Sequence, residues 1–392
     1  MISVDEALAA LFALVSPLAS EEVRLRKASG RVLAQAAEAT RDQPPFSTSS
    51  MDGYAMRSAD AMEGAKLAVI GEAAAGHRFH GTVAPGQAVR IFTGAPLPEG
   101  ADHVEIQENV TRDGDQIRLN SPEAATANIR PLGGDFRIGD TVAAPRRLSP
   151  ADIALLASMN VAHVSVTRRP VVALISTGDE LVMPGETPGP DQIIASNTLG
   201  LEALLSAAGA EPRVLPIARD TPESLESAFR FTRGADLIVT IGGASDGDHD
   251  LVRKVAGSQG LSQSFYKVAM RPGKPLMAGR LGGTPIIGLP GNPVSALVCG
   301  HVFLCPIVHA MLGLPAEPAA RGKAPLAHDM GKNGPREHYM RARLGEDGAL
   351  EVFDRQDSSL LGLLSRADAL AIRPPHDPPR KAGEYLDYLR LA

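Results

Sequence analysis

The chain has 392 residues, a formal net charge of -6 at pH 7 and 44% hydrophobic residues. This length exceeds what one compact core usually holds, so we expect roughly two to four domains. The negative charge argues against general nucleic-acid binding, which favours a basic surface. Both cysteines, Cys299 and Cys305, lie in one apolar stretch and are interpreted as buried core thiols of a reducing compartment.

The N-terminus carries a capping-box sequence. Ser3 and Glu6 stand before the apolar stretch 7–15, which predicts an amphipathic helix. That stretch is shorter than the roughly 20 residues of a membrane span, and no other segment fits a span or a signal peptide. We therefore expect a cytoplasmic protein without a membrane attachment. Apolar positions at helical spacing in 21–36 predict a second helical segment.

A β-rich segment follows. Short alternating runs broken by Gly and Pro occupy residues 67–145 and predict a small β-rich domain inserted in the N-terminal part. Ser149 as cap and Pro150 at the first helical position then predict a helix to about Met159. The predicted strands are 67–70, 88–92, 103–107 and 116–119.

Five short apolar runs between Pro170 and Leu312 predict the central sheet. Helical stretches separate the runs and turn residues bound them, which is typical of a doubly wound domain with a parallel sheet. The five runs are 171–175, 214–218, 237–241, 265–270 and 285–289. The predicted helices are 197–208, 221–233, 251–256 and a long apolar helix, 294–312.

Beyond that helix, the Ala-, Pro- and Gly-rich segment 315–325 reads as a linker. The strand-like runs 339–344, 350–353, 369–372 and 385–391 predict a second small β domain. The fold class is therefore a multidomain α/β protein. It has a central doubly wound α/β domain, an inserted β-rich N-terminal domain and a small C-terminal β domain.

A polar or glycine-rich insertion follows each of the five central runs. In an open α/β sheet the ligand lies beyond the carboxyl ends of the strands, so we expect these insertions to form one site. Glu180, Asp220 and Asp250 come from three different strand ends. Carboxylates that converge in a cleft repel one another and usually share a hard cation. Oxygen ligands with few convergent His or Cys favour Mg²⁺ over zinc.

Glycines, prolines and cations complete the predicted site. The glycine-rich turn offers backbone N–H groups to phosphate oxygens, although the Walker lysine and the dinucleotide fingerprint are absent. Two cations on a turn suit a polyanionic ligand, and a proline-bounded loop precedes a helix N-terminus that favours anions. Together they predict a phosphorylated substrate and an oxyanion. The residues are Gly242, Gly243, Ser245, Arg271, Lys274, Pro290 and Pro293.

Taken together, these motifs resemble the MoeA family of molybdopterin molybdenumtransferases, which includes the E domain of gephyrin. The resemblance covers essentially the whole chain. Its motifs are Met51–Ala55, Thr93–Pro96, Asn128–Arg130 with Gly134–Asp135, Ser176–Leu181, Gly242–Ser245, Arg271–Pro275 and Leu289–Ala296. It implies that the central domain binds molybdopterin. It also implies five segments. They are an N-terminal helix that packs on the central domain (1–20), a helical linker and dimerisation domain (21–40 with 135–165), a β-rich domain (41–134), the molybdopterin-binding α/β domain (166–314) and a C-terminal β domain (315–392).

The resemblance implies an activity: insertion of molybdate into adenylylated molybdopterin, with Mg²⁺-dependent release of AMP. Glu180, Asp220 and Asp250 would hold metal or molybdate, and Lys274 with Arg271 would bind the anionic substrate. The remaining residues implied to form the cleft are Asp52, Thr93, Asp135, Pro290, Pro293 and Ser358. The family is an elongated homodimer whose cleft combines parts of both subunits. Molybdopterin adenylyltransferase and apo-molybdoenzymes or their chaperones are the implied partners.

This chain departs from the family at Asp246, where several relatives carry a small or apolar residue, at Arg271 and near the C-terminus. Arg271 stands where several relatives carry Lys, and it keeps the charge but not the compact geometry. Near the C-terminus, Gln356–Ser359 lacks the glycine of the family's Gln-Gly-Ser motif.

Two other functions stay open: a molybdopterin adenylyltransferase, and a non-catalytic molybdopterin-binding or scaffold protein. The large terminal domains argue against the first, and the absence of a long linker or extra domain argues against the second.

Overall fold

In the computed structural model of this protein, residues 1–121, 128–243 and 251–391 are described. The chain forms two compact units. The first comprises Met1–Glu21, Gly30–Ala34 and Val166–Ala392, and the second comprises Glu22–Ser29 and Gln35–Ser165. The five-segment division expected from the sequence stays a prediction.

The α-helices of the described residues are Val4–Phe12 (α1), Pro150–Ser158 (α2), Ser196–Ala208 (α3), Pro222–Arg230 (α4), Leu251–Ser258 (α5), Pro293–Cys299 (α6), Cys305–Met311 (α7) and Leu361–Leu364 (α8). A π-helical segment, Gly300–Leu304, joins α6 to α7. These three pieces form the long helix that the sequence predicts.

The strands, in chain order, are Ser20–Arg24 (β1), Val32–Leu33 (β2), Ala37–Glu38 (β3), Thr48–Ser49 (β4), Gly53–Met56 (β5), Lys66–Ala73 (β6), Gln87–Ile91 (β7), His103–Ile106 (β8), Val110–Asp113 (β9), Gln116–Leu119 (β10), Ile129–Arg130 (β11), Thr141–Val142 (β12), Arg146–Arg147 (β13), His163–Thr167 (β14), Val171–Ser176 (β15), Leu181–Val182 (β16), Ile193–Ile194 (β17), Glu211–Val214 (β18), Leu237–Ile241 (β19), Ser262–Tyr266 (β20), Met270–Arg271 (β21), Met277–Leu281 (β22), Thr284–Leu289 (β23), Arg321–Pro325 (β24), Glu337–Leu344 (β25), Leu350–Val352 (β26), Ala369–Arg373 (β27) and Tyr385–Arg390 (β28).

The central sheet of the first unit has the order β18-β15-β19-β23-β22-β20. Its first four strands are parallel. Alternate side chains of β15 enter two separate cores: Val172 and Leu174 pack with α3 and the long helix, while Ala173 and Ile175 pack with α4 and α5. The sheet is thus covered on both faces, which is why its middle strands are mostly apolar. The predicted doubly wound domain is confirmed.

Two of the five predicted central strands need correction. The second predicted strand was the run 214–218. The observed strand, β18, covers Glu211–Val214 and therefore ends where that run begins. The fourth, β20, is antiparallel to β22, a strand that the sequence analysis missed. Gly282 and Gly283, both with positive φ, connect β22 to β23. Such a two-residue connection can join only antiparallel neighbours, so this end of the sheet reverses direction.

Helix starts and stops agree with their local signals. Ser3 with Glu6 and Ser149 with Asp152 form complete capping boxes at α1 and α2. Gly209 ends α3 with φ +106°, a conformation that favours glycine. The predicted helical segment 21–36 is wrong, since it contains β1, a 3₁₀ turn and β2. Helical spacing alone is weak there, and strand pairing overrides it.

The second unit is built on the sheet β8-β5-β7-β6-β10-β9. One face buries Ala55, Val89 and Val104, and the other buries Tyr54 and Ile117. A sheet with two apolar faces requires cover on both sides, and the alternating runs supply it. The predicted β-rich domain is confirmed.

The C-terminal sheet belongs to the first unit and has the order β21-β25-β27-β28-β24, with β26 paired to β25. The predicted linker 315–325 is partly wrong, because β24 pairs with β28 along the sheet edge. Pro325 is tolerated there as the last residue of an edge strand. At the opposite edge, Met270 and Arg271 pair with Glu337 and His338.

The helix Pro293–Met311 is long and apolar enough to span a membrane by length and composition, contrary to the sequence expectation. Its most apolar window is nevertheless 78% buried inside the structure, as the central helix of a globular core would be. Cys299 on this helix is buried, and Cys305 is half-buried; both are free thiols. Burial raises the pKa of Cys305 to about 12, which makes its thiolate scarce at neutral pH.

Candidate functional site at the ends of the central strands

A cleft of about 680 Å³ opens at the carboxyl ends of β15, β19 and β23. Its walls come from the loops after these strands, from the start of α3 and from the loop before α6. The lining residues include four of the predicted site residues in the first loops, Glu180, Asp220, Gly242 and Gly243, and the prolines Pro290 and Pro293. Four of the five predicted strand-end insertions therefore contribute residues to one cleft, and their function as one site stays a prediction.

Two carboxylates of the cleft, with a third beside them, form an acidic cluster. The backbone N–H of Asp220 donates to Oδ1 of Asp179 at 3.2 Å. Burial, followed by the negative charges of Asp179 and Glu180, raises the pKa of Asp220. Arg219 stabilises the loop that contains Asp179, because its Nη1 donates to the carbonyl oxygen of Asp179 at 2.8 Å. The cluster concentrates negative charge that a bound cation would neutralise.

The described residues contain no group of three His, Cys, Asp or Glu side chains arranged around a metal position. Asp250, the third predicted ligand, and Ser245, a predicted phosphate contact, lie outside the described residues. The predicted metal set therefore stays a prediction for Glu180, Asp220 and Asp250.

Gly242 and Gly243 allow two loops to approach closely. Their φ values are +93° and +66°. A Cβ on Gly242 would stand 2.8 Å from the carbonyl oxygen of Thr177, and one on Gly243 would overlap Val252. The Gly242 N–H donates to the carbonyl oxygen of Leu289 at 3.1 Å. That N–H is thus unavailable to a phosphate, which corrects one predicted contact.

The loop before α6 forms the opposite wall. Asn197 at the start of α3 donates through Nδ2 to the carbonyl oxygen of Gly291 at 2.7 Å, which ties the two helix starts together. Pro293 occupies the first turn of α6, where its missing N–H costs nothing. The long helix that begins here points its N-terminus at the cleft wall and favours anions.

Ser358 and its neighbour have different roles in this wall. The carbonyl oxygen of Ser358 accepts a hydrogen bond from the N–H of Val294 at 3.1 Å. Ser359 is the residue that lines the cleft, and its hydroxyl donates to Oδ1 of Asp357 at 2.6 Å. Sequence reasoning selected Ser358 and missed Ser359, although both lie in the same short motif.

Other cleft residues escaped the sequence analysis. Thr177 is only 4% exposed, and its Oγ1 finds no hydrogen-bond partner among the described residues. Pro275 and Asn197 also line the cleft. Thr177 and Pro275 lie within the recognised motifs Ser176–Leu181 and Arg271–Pro275, so membership of a motif was the signal that could have found them, whereas Asn197 lies in no recognised motif.

The predicted cation pair is divided by the fold. Pro275 lines the cleft, and the half-buried Lys274 directly precedes it. Arg271 lies instead in a second cavity beside the C-terminal sheet. The pairing of β21 with β25 carries Arg271 to that sheet and away from the lining of the cleft, and its predicted role in substrate binding stays a prediction.

In the second unit, Asp52 and Thr93 are brought together. Oδ1 of Asp52 accepts hydrogen bonds from the backbone N–H and from the hydroxyl of Thr93, both at 2.8 Å. These bonds, with a smaller contribution from the charge of Arg90, lower the pKa of Asp52. Asp135 is exposed, and its N–H donates to the carbonyl oxygen of Gln43 at 2.9 Å.

Three family models match the chain in succession. The MoeA N-terminal region (domains I and II) matches residues 2–160, the molybdopterin binding domain MoCF_biosynth matches 173–310, and the MoeA C-terminal region (domain IV) matches 323–391. The central sheet with its strand-end cleft lies within the second match. The class is therefore that of proteins in which a molybdopterin binding domain stands between MoeA N-terminal and C-terminal regions.

Curated relatives identify the family. The chain is 35% identical to a molybdopterin molybdenumtransferase of Nostoc sp. over 95% of this chain and 90% of that protein. It is 36% identical to that of Haemophilus influenzae over 80% of this chain and 78% of that one. The crystal structure of a molybdopterin biosynthesis MoeA protein from Pyrococcus horikoshii superposes with a TM-score of 0.84, at 27% identity and 99% coverage of both chains. The chain belongs to the MoeA family of molybdopterin molybdenumtransferases, enzymes of molybdenum cofactor biosynthesis.

Proposed function

We propose that this enzyme inserts molybdate into adenylylated molybdopterin and releases AMP in a Mg²⁺-dependent step. The observation that carries the proposal is the acidic cluster in the strand-end cleft. There the pKa of Asp220 is raised by burial and by its acidic neighbours. A site that keeps carboxylates so close is suited to a substrate that brings a divalent cation with it.

Glu180 and Asp220 would hold Mg²⁺, together with Asp250 beyond the described residues. All are hard oxygen donors, which suits this ion. When bound, Mg²⁺ supplies charge neutralisation between the oxyanion and the phosphoanhydride. The role of the carboxylates is then to bind and orient, and no protein nucleophile takes part.

The rest of the cleft would position the anionic substrate. Lys274, with Arg271 of the same turn, would bind the anionic substrate. Ser359, whose hydroxyl donates to Asp357, contributes to one wall of the cleft. The N-terminus of the long helix adds a partial positive charge that favours the oxyanion. Positioning and electrostatic stabilisation would therefore supply most of the rate acceleration.

The proposal includes an assembly and a location. The enzyme is a cytoplasmic homodimer with the five-segment division stated above. Asp52, Thr93 and Asp135 of the β-rich domain and the helical linker complete the cleft of the other subunit. The adenylylated substrate comes from molybdopterin adenylyltransferase, and the product passes to apo-molybdoenzymes or their chaperones.

The first experiment measures AMP release from adenylylated molybdopterin, with Mg²⁺ present and molybdate added or withheld. Release should require molybdate and fall by at least about 100-fold in Asp220→Asn, because charge stabilisation in the cleft is lost. Asp387→Asn, a change to a partly exposed carboxylate on β28, is the matched control and should retain full activity. Molybdate-independent release would contradict the proposal. So would undiminished activity of Asp220→Asn.

A further inference from the structure

The β-rich second unit contains a cavity of its own, of about 410 Å³. We call it the Arg78 cavity. Residues from three segments line it: 46–47, 78–81 and 96–99. The last segment continues the motif Thr93–Pro96, which the sequence analysis singled out. The volume of the cavity lies within the range of pockets that bind small organic molecules.

An aromatic ring forms part of the lining. Phe79 and Leu97 line the cavity and also pack against the hydrophobic core of the second unit. The Phe79 ring lies against the backbone of two glycines. A Cβ on Gly71 would stand 2.5 Å from its Cε2, and one on Gly81 would stand 2.8 Å from its Cε1. Contacts this close restrict the ring, so it offers a fixed apolar surface to a ligand.

Arg78 adds a cation that rests on a second ring. Its Cζ lies 5.8 Å from the centre of the Phe46 ring, within the range of a cation–π interaction. Among the described residues, the guanidinium of Arg78 makes no hydrogen bond or ion pair, although the carboxylate of Glu99 lines the same cavity. A planar guanidinium stacks on the face of a flat ligand ring.

Glu99 supplies the acceptor of the cavity. Its backbone is fixed, because its carbonyl oxygen accepts a hydrogen bond from the N–H of Val83 at 2.8 Å. Its carboxylate lines the cavity and makes no hydrogen bond in the part of the chain that the structure describes. An ionised carboxylate only accepts, and its two oxygens match two adjacent N–H donors of a ligand.

We propose that the Arg78 cavity binds a fused nitrogen heterocycle with a 2-amino-4-oxopyrimidine edge, the edge that pterins and guanine share. The ring stacks on Phe79 and Arg78, and Glu99 accepts from the amino group and the adjacent ring N–H. Adenine lacks this pair of adjacent donors, so the carboxylate discriminates against it. The ligand is the pterin of molybdopterin or the guanine of a nucleotide. The inference does not depend on the reaction proposed for the strand-end cleft.

The test is equilibrium dialysis of the full-length protein with pterin, guanosine, lumazine and adenosine. Lumazine is the matched control for pterin, because it has the same fused ring but carries an oxo group in place of the amino group. Pterin or guanosine should bind. Lumazine and adenosine should bind at least about 10-fold more weakly, since neither presents both donors to the carboxylate.

Variants then assign the binding to this cavity. Glu99→Gln should raise the pterin Kd by about 10-fold, because a charged acceptor is lost, and it should leave the lumazine Kd unchanged. Glu63→Gln is the matched control, since Glu63 is an exposed glutamate of the same unit outside the cavity. Arg78→Ala should raise the Kd of pterin and lumazine alike by about 3-fold, because stacking does not depend on the edge of the ring.

The outcomes separate the sources of the ligand. Tighter binding of pterin than of guanosine supports the pterin, and the reverse supports a guanine nucleotide. The titration contains no Mg²⁺, molybdate or adenylylated substrate, so its result is independent of AMP release. Circular dichroism confirms that each variant is folded. The proposal is overturned if the unchanged protein binds neither pterin nor guanosine, if lumazine binds as tightly as pterin, or if Glu99→Gln and Glu63→Gln bind pterin equally well.

Discussion

Gly242→Ala offers a direct test of how the strand-end cleft is built. Alanine at φ +93° would adopt the left-handed region, which costs roughly 1–2 kcal/mol for a residue with a Cβ. Its Cβ would also stand 2.8 Å from the carbonyl oxygen of Thr177, a backbone atom that cannot rotate away. Overpacking of this kind costs typically about 1–3 kcal/mol. The free energy of unfolding should therefore fall by roughly 2–5 kcal/mol.

Gly257→Ala is the matched control. Gly257 lies in α5, its added Cβ would meet no atom within 4 Å, and its φ is not positive. Alanine should stabilise that helix by roughly 0.5–1 kcal/mol. Urea denaturation followed by circular dichroism measures both changes as shifts of the transition midpoint. If Gly242→Ala proved as stable as Gly257→Ala, the close approach of the two cleft loops would be refuted.

Two further predictions concern charge. Thr93→Val removes the hydroxyl hydrogen bond to Asp52, so the pKa of Asp52 should rise toward its ordinary value of 3.8, measured by NMR titration. Because the pKa of Asp52 is lowered in the folded state, its hydrogen bonds should stabilise the fold above pH 3.8, and this stabilisation should fade as the pH falls through the folded-state pKa. An unchanged pKa of Asp52 in Thr93→Val would contradict the hydrogen bond from the Thr93 hydroxyl. Asp377→Asn should lower the free energy of unfolding by about 3–5 kcal/mol in urea denaturation, since it leaves the 2% exposed Arg373 side chain buried without its anion. Asp329→Asn, in an exposed ion pair, should change the free energy of unfolding far less, and equal effects of the two substitutions would contradict the role of burial.

Some parts of the candidate site could be predicted from the sequence, and the position of Arg271 could not. The loop after β15 and the loop before α6 were expected in one cleft, because the carboxyl ends of parallel strands meet at one edge of the sheet. Arg271 was assigned to the same cleft by analogy with the other strand ends. It follows β20, which runs antiparallel to its neighbour, and its own short strand pairs with the C-terminal sheet. The rule therefore did not apply to it.

The spacing of residues in the sequence could not predict the close packing of loops in the cleft. The approach of Gly242 to the Thr177 loop depends on contacts between segments about sixty residues apart in the chain. The exchange of roles between Ser358 and Ser359 depends on which of them faces α6. Both residues lie in a turn, where the direction of each side chain depends on the contacts of the turn with α6 rather than on a periodic pattern.

By itself the sequence determined the features that rest on local or strongly periodic signals. These are the capped starts of α1 and α2, the glycine end of α3, the apolar strands β15 and β19, and the motifs that identify the family. Only the tertiary structure decided the direction of β20 and β22, the pairing of β24 at the sheet edge, and the placement of Arg271 in its own cavity. The physical reason is that a cap or a buried run acts within a few residues, whereas strand direction and pairing depend on hydrogen-bond partners that lie far away in the chain.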